Sequence, residues 1–318
     1  MIKRLLSSKS NTITGAAILL GGASFASRLL GVLRDRALAH TFGAGEMLDA
    51  YFTAFRIPDL VYNLAIAGAL TAGFIPLFTE LFEKNKKEAW MFTSRVITLL
   101  GSAVIVLCGL LLVFAGPLTE LIAPGFSLEQ QALTTTLSRL LLLSPIILGI
   151  SAIISGVLQS LRFFLVYALC PIVYNLGIII GAVVFSRFWG IQGVTYGVIL
   201  GALMHLLIQL PTAWSAGMRL RVRFTITKNI RTLLSMMIPR TLSLATYQVV
   251  LLVLTIMATK LASGSVSIFN FANNIHFFPI GMVGISFALA AFPVLSKTAA
   301  RNDRPLFIHT ISGAARVI

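Results

Sequence analysis

Six ionisable side chains crowd into one otherwise apolar stretch between residues 24 and 83: Arg28, Arg34, Asp35, Asp49, Arg56 and Asp59. Two greasy segments carry them, joined by the turn Gly43-Ala44-Gly45. A charge at membrane depth costs roughly 2.5–3.5 kcal/mol on insertion scales unless it faces a cavity or a partner, so such a cluster marks a functional site. Guanidinium groups hold their N–H donors in a fixed fork that suits phosphate oxygens. Arginines against this background therefore point to an anionic, phosphate-bearing ligand, and the stretch reads as the polar wall of a transport cavity. Asp35 lies seven residues from Arg28, close to its face of a helix, and can partner Arg28 or Arg34. Asp49 can orient an arginine, accept a ligand hydroxyl, or cap the helix that starts just after the glycine turn. Arg56 and Asp59 are spaced to pair with each other. The competing reading is an interfacial cluster in which Arg34 and Arg36 snorkel to headgroups. Arg28, flanked by Phe25, Leu29 and Leu30, lies deeper.

Composition limits the scaffold that can hold these residues. Hydrophobic residues make up 57% of the 318-residue chain and charged ones 11%; mean hydropathy is +0.93, well above that of a soluble domain. Apolar runs of about 20 residues recur, as membrane-spanning helices require, whereas barrel strands would alternate in short segments. The expected class is an all-α polytopic membrane protein. A net charge of +15 would suggest nucleic acid in a soluble chain. Here most basic residues lie between apolar runs, where they set orientation, so no nucleic-acid partner is expected. Cys108 and Cys170 fall inside apolar runs and read as core residues. His40, His205, His276 and His309 show no ligand spacing, so no metal and no cofactor is expected. With no Ser/His/Asp arrangement, glycine-rich phosphate loop or Walker lysine in view, the chain does not read as an enzyme or an ATP-driven pump. The N-terminus is basic and then apolar, without a convincing processing site, and reads as a retained first helix.

Spans are expected at about residues 12–38, 48–82, 92–115, 133–158, 165–185, 193–214, 233–261 and 266–295, with a ninth from Pro305 to the last residue, Ile318. Residues 1–218 form a first lobe of six helices. Residues 219–232, with Arg219, Arg221, Arg223, Lys228 and Arg231, form a basic linker, and residues 233–318 begin a second lobe. Lys and Arg concentrate at the N-terminus and in the even-numbered connections, while the connections after spans 3, 5 and 7 hold only Arg187 and Lys260. The positive-inside rule therefore places the N-terminus in the cytoplasm. Arg34 and Arg36, after span 1, depart from that rule and are expected to serve something else. Spans 2 and 8 share a preceding turn, a mid-helix proline (Pro58, Pro279) and a later proline in Phe74-Ile75-Pro76 and Ala291-Phe292-Pro293. This suggests parallel repeats enclosing a central cavity. Asn63, Asn175, Asn270, Asn273 and Asn274 put amides inside spans, where they act as glue between helices.

Ser27-Arg28-Leu29-Leu30-Gly31, Arg34-Asp35, Phe42-Gly43-Ala44-Gly45, Asp49-Ala50-Tyr51-Phe52, Phe55-Arg56-Ile57-Pro58-Asp59-Leu60 and Phe74-Ile75-Pro76 together resemble the opening of the MurJ (MviN) family, lipid II flippases of the MOP exporter superfamily. Ala123-Pro124-Gly125-Phe126, Leu158-Gln159-Ser160, Pro171 with Asn175, Gln209-Leu210-Pro211 and Leu261-Ala262-Ser263-Gly264-Ser265-Val266 extend the match over nearly the whole chain. The resemblance implies a MOP-exporter-like bundle in the bacterial inner membrane that moves an undecaprenyl-pyrophosphate-linked peptidoglycan precursor outward by alternating access. Its partners would be that anionic lipid-linked substrate, membrane lipids and cell-wall synthesis proteins. By position, Arg28, Arg34, Asp35 and Asp49 match family cavity residues. Tyr62-Asn63 and Asn274 stand where the family has basic residues, and Ala67 where it has an acidic one. Arg56, Asn63 and Asn274 complete the expected substrate-binding set. The resemblance leaves two other functions open: a flippase for another polyprenyl-linked glycan, and a non-transporting scaffold.

Overall fold

The computed structural model describes residues 13–67, 73–279, 308 and 312, and all regular structure among them is helical. Apart from residues 308 and 312, the expected ninth span lies outside these residues, as does the Ala291-Phe292-Pro293 part of the proline repeat. Span 1 is helix α1, Ile13–Phe42. It runs past the expected end at about residue 38, and Arg34 and Arg36, expected after span 1, stand with Asp35 on the helix itself. The helix stops at Gly43, whose φ of +68° an L side chain rarely adopts. Span 2 is broken into α2 (Glu46–Ala54), α3 (Arg56–Val61), a π-helical stretch Tyr62–Ala67 and, further on, α4 (Ile75–Lys84). The first break falls just ahead of Pro58, which has no N–H to continue the helix.

Span 3 is α5, Lys86–Val113, started by Asn85, whose side chain accepts from Lys87 N and Glu88 N at 3.0 and 3.3 Å. It passes into the short α6, Ala115–Ile122. Span 4 comprises α7, Leu128–Leu141, capped by Ser127, and α8, Leu143–Ser160, with the break just before Pro145. Span 5 is α9, Phe164–Ile180, continuing through a π turn Gly181–Phe185. The chain then runs into α10, Ser186–Leu207, which reverses at Gly190 (φ 55°, ψ −137°) so that span 6 starts just after it; α11, Leu210–Ser215, follows. Span 7 is α12, Lys228–Thr259, and the described part of span 8 is α13, Ser265–Pro279. The stretches Lys86–Val113, Leu128–Ser160, Phe164–Ser215 and Lys228–Thr259 are long and apolar enough to cross a membrane. Exposed Val106, Leu110 and Val113 on α5 and Val249, Val253 and Met257 on α12 suit contact with lipid.

Spans 5 and 6 pack through glycine. Gly177 and Gly181 face Gly193, Gly197 and Gly201, two runs of the small-xxx-small pattern that brings membrane helices to backbone contact. A Cβ on Gly177 would lie 2.3 Å from Gly201 Cα, and one on Gly197 would lie 2.5 Å from Gly181 Cα. Helix α9 also carries α1 along its side, so this seam sets where α1 stands. At the other end of the bundle Phe74, Phe78 and Phe92 stack with centroids 5.9 and 5.6 Å apart, joined by Ile230 and Leu233 from α12.

The chain forms two compact units, Met1–Ile268 and Phe269–Ile318. Helix α12 belongs to the first. Between α11 and α12 the expected basic linker is extended along α5: Arg221 N and Arg223 N donate to Ser94 Oγ and Thr98 Oγ1 at 3.3 and 3.2 Å. Arginines 219, 221 and 223 alternate there with exposed Leu220, Val222 and Phe224.

Candidate functional site

Three of the expected site residues, Arg28, Arg34 and Asp35, fall on one helix, α1, and Asn175 on α9 joins the Arg34–Asp35 pair to Ser27, the neighbour of Arg28. Arg34 donates from Nε and Nη2 to Asp35 Oδ1 at 2.9 and 2.8 Å, and from Nη1 to Asn175 Oδ1 at 3.2 Å. Asn175 Nδ2 in turn donates to Pro171 O at 3.1 Å and approaches Ser27 O and Ser27 Oγ at 3.3 and 3.4 Å. Ser27 and Arg28 both line a cavity of about 270 Å³ between α1 and α9, with Ser24, Tyr167 and Pro171 on its wall. The result is a polar strip that runs from Asp35 and Arg34 through Asn175 to Ser27, beside Arg28, set into an apolar seam. Spacing alone left Asp35 free to serve either arginine, and the structure pairs it with its neighbour Arg34. Arg34 is therefore not an unpaired arginine: its guanidinium is clamped in place by two side chains, with the pair still partly open to solvent.

Asn175 is glue, as expected, and it also aims an arginine. Asn175→Ala is expected to destabilise the detergent-purified protein by about 0.6–1.7 kcal/mol, the range for interhelical side-chain hydrogen bonds. A denaturant midpoint no different from wild type would rule that out.

Asp49 does something else. It is 2% exposed, and it makes its three hydrogen bonds in the span 7–8 turn: Oδ2 accepts from Gly264 N at 2.7 Å, and Oδ1 accepts from Ser267 N at 2.7 Å and Ser267 Oγ at 2.6 Å. The carboxylate thus caps α13, not α2, whose own N-cap is Gly45 without a side-chain bond. Its oxygens are engaged with backbone and a hydroxyl rather than an arginine. Gly264 (φ +90°) comes so close that a Cβ would lie 2.7 Å from Ala44 O. On the neighbouring connection, a Cβ on Gly125 would meet Thr259 O at 2.1 Å. The end of span 7 and the start of span 8 are therefore gripped by the first lobe at this side of the bundle.

Arg56 is buried at the start of α3 and interacts electrostatically with Asp59 one turn on. Asn63 Nδ2 donates to Asp59 O at 2.8 Å, so its amide is turned onto its own helix. Asn274 is an exposed residue of α13 in the second compact unit. Sequence reasoning missed a buried network between spans 4 and 6. Gln209 Nε2 donates to Ser151 Oγ and His205 O, both at 2.7 Å, Ser155 Oγ donates to Gln209 Oε1 at 2.9 Å, and Ser151 Oγ lies 2.6 Å from His205 Nδ1. Its signal was the matched i, i+4 spacing of Ser151 with Ser155 and of His205 with Gln209. Among the described residues no three His, Cys, Asp or Glu side chains stand together as a metal site would need.

This helical arrangement is shared with solved transporters. The chain superposes with a TM-score of 0.73 on an inward-facing multidrug resistance MATE family transporter of the MOP superfamily, covering 92% of this chain and 67% of that one at 17% identity. The class is accordingly a multi-pass membrane protein with the MOP transporter fold. A closer match in sequence, "Lipid II flippase MurJ, inward closed conformation", gives a TM-score of 0.78 at 26% identity over 94% of this chain and 62% of that one. The family model "Lipid II flippase MurJ" matches residues 38–318, and the chain belongs to that family. Relatives include the probable lipid II flippases MurJ of Rickettsia prowazekii (strain Madrid E), 28% identical over 296 residues, and of Buchnera aphidicola subsp. Acyrthosiphon pisum, 32% identical over 277 residues. These cover 92% and 85% of this chain but 58% and 54% of the relatives, so the chain spans little more than half their length.

Proposed function

We propose that this chain provides the anion-binding lobe of a flippase that carries the undecaprenyl-pyrophosphate-linked peptidoglycan precursor, lipid II, across the inner membrane, with the N-terminus in the cytoplasm. One observation carries the reading: two arginines on a membrane helix share a polar strip beside a cavity, one of them held by Asp35 and Asn175 with its fork oriented in advance. Preorientation spares the ordering cost that a flexible cation meets when it binds phosphate. Family membership supports the same substrate, and cell-wall synthesis proteins are natural partners for a protein that delivers it. Asn63 contributes no cation midway along span 2, which favours a related polyprenyl-linked glycan as the second reading.

The test is complementation of cells depleted of their own lipid II flippase, with surface-exposed lipid II as the readout. Expression of the gene is expected to restore exposure. Arg28→Ala and Arg34→Ala should each lower it at least tenfold, as loss of a charge-assisted hydrogen bond of about 1.5–3 kcal/mol requires. Unrestored exposure by the wild type, with the protein correctly inserted, would rule out lipid II as the cargo. Restored growth with both arginine variants unimpaired would instead identify a scaffold.

A further inference from the structure

A second cleft, of about 610 Å³, opens where the C-terminal end of α1 meets the end of span 5. Its polar lining is Arg36, His40 and Thr41 from α1 with Ser186 and Arg187 from the start of α10. Arg36 and His40 are four residues apart and so share one helix face. Thr41 Oγ1 donates to Ala37 O at 2.8 Å and lies 3.4 Å from Ala182 O, and Ser186 Oγ donates to Ala182 O at 2.6 Å, which joins the two walls through one carbonyl. No carboxylate lines the cleft, and among the described residues neither Arg36 nor Arg187 is in an ion pair. Asp35, next along α1, is committed to Arg34. Two guanidinium groups facing one cleft repel each other unless an anion lies between them.

The position in the membrane says which anion. Beyond Arg187, Phe188 and Trp189 are 73% and 54% exposed, and Trp189 packs edge-on against Phe185 and Tyr196. Exposed aromatics beside a chain reversal mark the headgroup level of a bilayer. The apolar lip of the cleft, Leu33 and Val183, is also exposed, and each lies about one helical turn before the arginine on its own segment, toward the middle of its span. Arg36, near the end of α1, and Arg187 are moreover basic residues at an end of the bundle where the sequence places few others. The positive-inside rule does not account for them there.

We propose that this cleft binds the phosphodiester headgroup of an anionic phospholipid, with Arg36 and Arg187 straddling the phosphate and the acyl chains running over Leu33 and Val183. On the orientation proposed above, the lipid belongs to the outer leaflet. The site is separate from the Arg28–Arg34 strip, and its occupancy does not depend on what that strip carries.

The test is native mass spectrometry of the detergent-purified chain offered equimolar phosphatidylglycerol and phosphatidylcholine, with and without millimolar inorganic phosphate. Expected is retention of phosphatidylglycerol at least tenfold over phosphatidylcholine, resistant to inorganic phosphate. Arg36→Ala/Arg187→Ala should abolish that preference, and Arg36→Lys/Arg187→Lys should keep most of it. The single variants Arg36→Gln and Arg187→Gln, each expected to lower retention severalfold, decide the matter if the double alanine variant does not fold. Equal retention of the two lipids, displacement by inorganic phosphate, or an unchanged preference in the glutamine variants would each overturn the proposal.

Discussion

Asp49→Ala is expected to release the span 7–8 turn while leaving the helices themselves formed. The substitution removes three hydrogen bonds at once and leaves the buried Gly264 N–H and Ser267 N–H with no carboxylate to accept them. A single bond to a charged group is worth about 1.5–3 kcal/mol, so local opening of residues 262–268 should become at least tenfold more frequent. Amide hydrogen exchange of that segment reads this directly. Asp49→Asn keeps the shape but places an N–H₂ opposite an N–H, so it should fall between wild type and alanine. Asp49→Glu should not rescue, because a side chain only 2% exposed has no room for another methylene. Exchange in Asp49→Ala as slow as in wild type would show that the grip comes from the Ala44 and Gly125 contacts instead. The expected result would make Asp49 a residue that positions the span 7–8 turn, as its three hydrogen bonds place it.

Gly197→Val should be strongly destabilising to the first lobe. Its new Cβ would lie 2.5 Å from Gly181 Cα and 2.8 Å from Gly177 O, and backbone cannot turn aside as a side chain can. The expected cost is at or above the top of the usual range for overpacking, about 3 kcal/mol. It should appear as a large drop in the unfolding midpoint. Gly101→Ala is the matched control. On α5 nothing lies within 4 Å of the added methyl, and alanine in a helix is favoured over glycine by roughly 0.5–1 kcal/mol, so this variant should be as stable as wild type or more so. Comparable losses at both positions would mean that the cost is generic to glycine and that the seam does not depend on backbone contact. Because α9 carries Asn175 on its other side, Gly197→Val should also weaken the Arg34 clamp.

The spans were legible because apolar runs bounded by basic loops have few alternatives, and the breaks near Pro58 and Pro145 followed from a missing N–H. The end of α1 was misjudged. The apolar pattern fades near residue 38, whereas the helix stops where backbone geometry changes, at Gly43. Asp35 was assigned to either arginine because helical spacing describes where Cβ atoms lie, and a long guanidinium side chain can fold back onto the next residue. The role of Asp49 could not be read, since its partners are more than two hundred positions away and are mostly backbone amides, which every residue type supplies. The glycine seam was readable in principle, in Gly177-xxx-Gly181 and Gly193-xxx-Gly197-xxx-Gly201, but the search for charged chemistry passed over it.

The way the chain travels from α11 to α12 limits how span 7 can move. Residues 219–223 are stitched to α5 through Ser94 and Thr98, and only four residues, the last of them the extended Thr227, separate them from the start of α12 at Lys228. With about 3.3–3.6 Å available per extended residue, little slack remains in the strap. Helix α12 cannot slide away from the first lobe at this end. Span 7 is thus tethered at both ends: by the strap here, and by the Asp49 bonds to Gly264 and Ser267 at its far end, so any swing about the strap would first have to break those bonds.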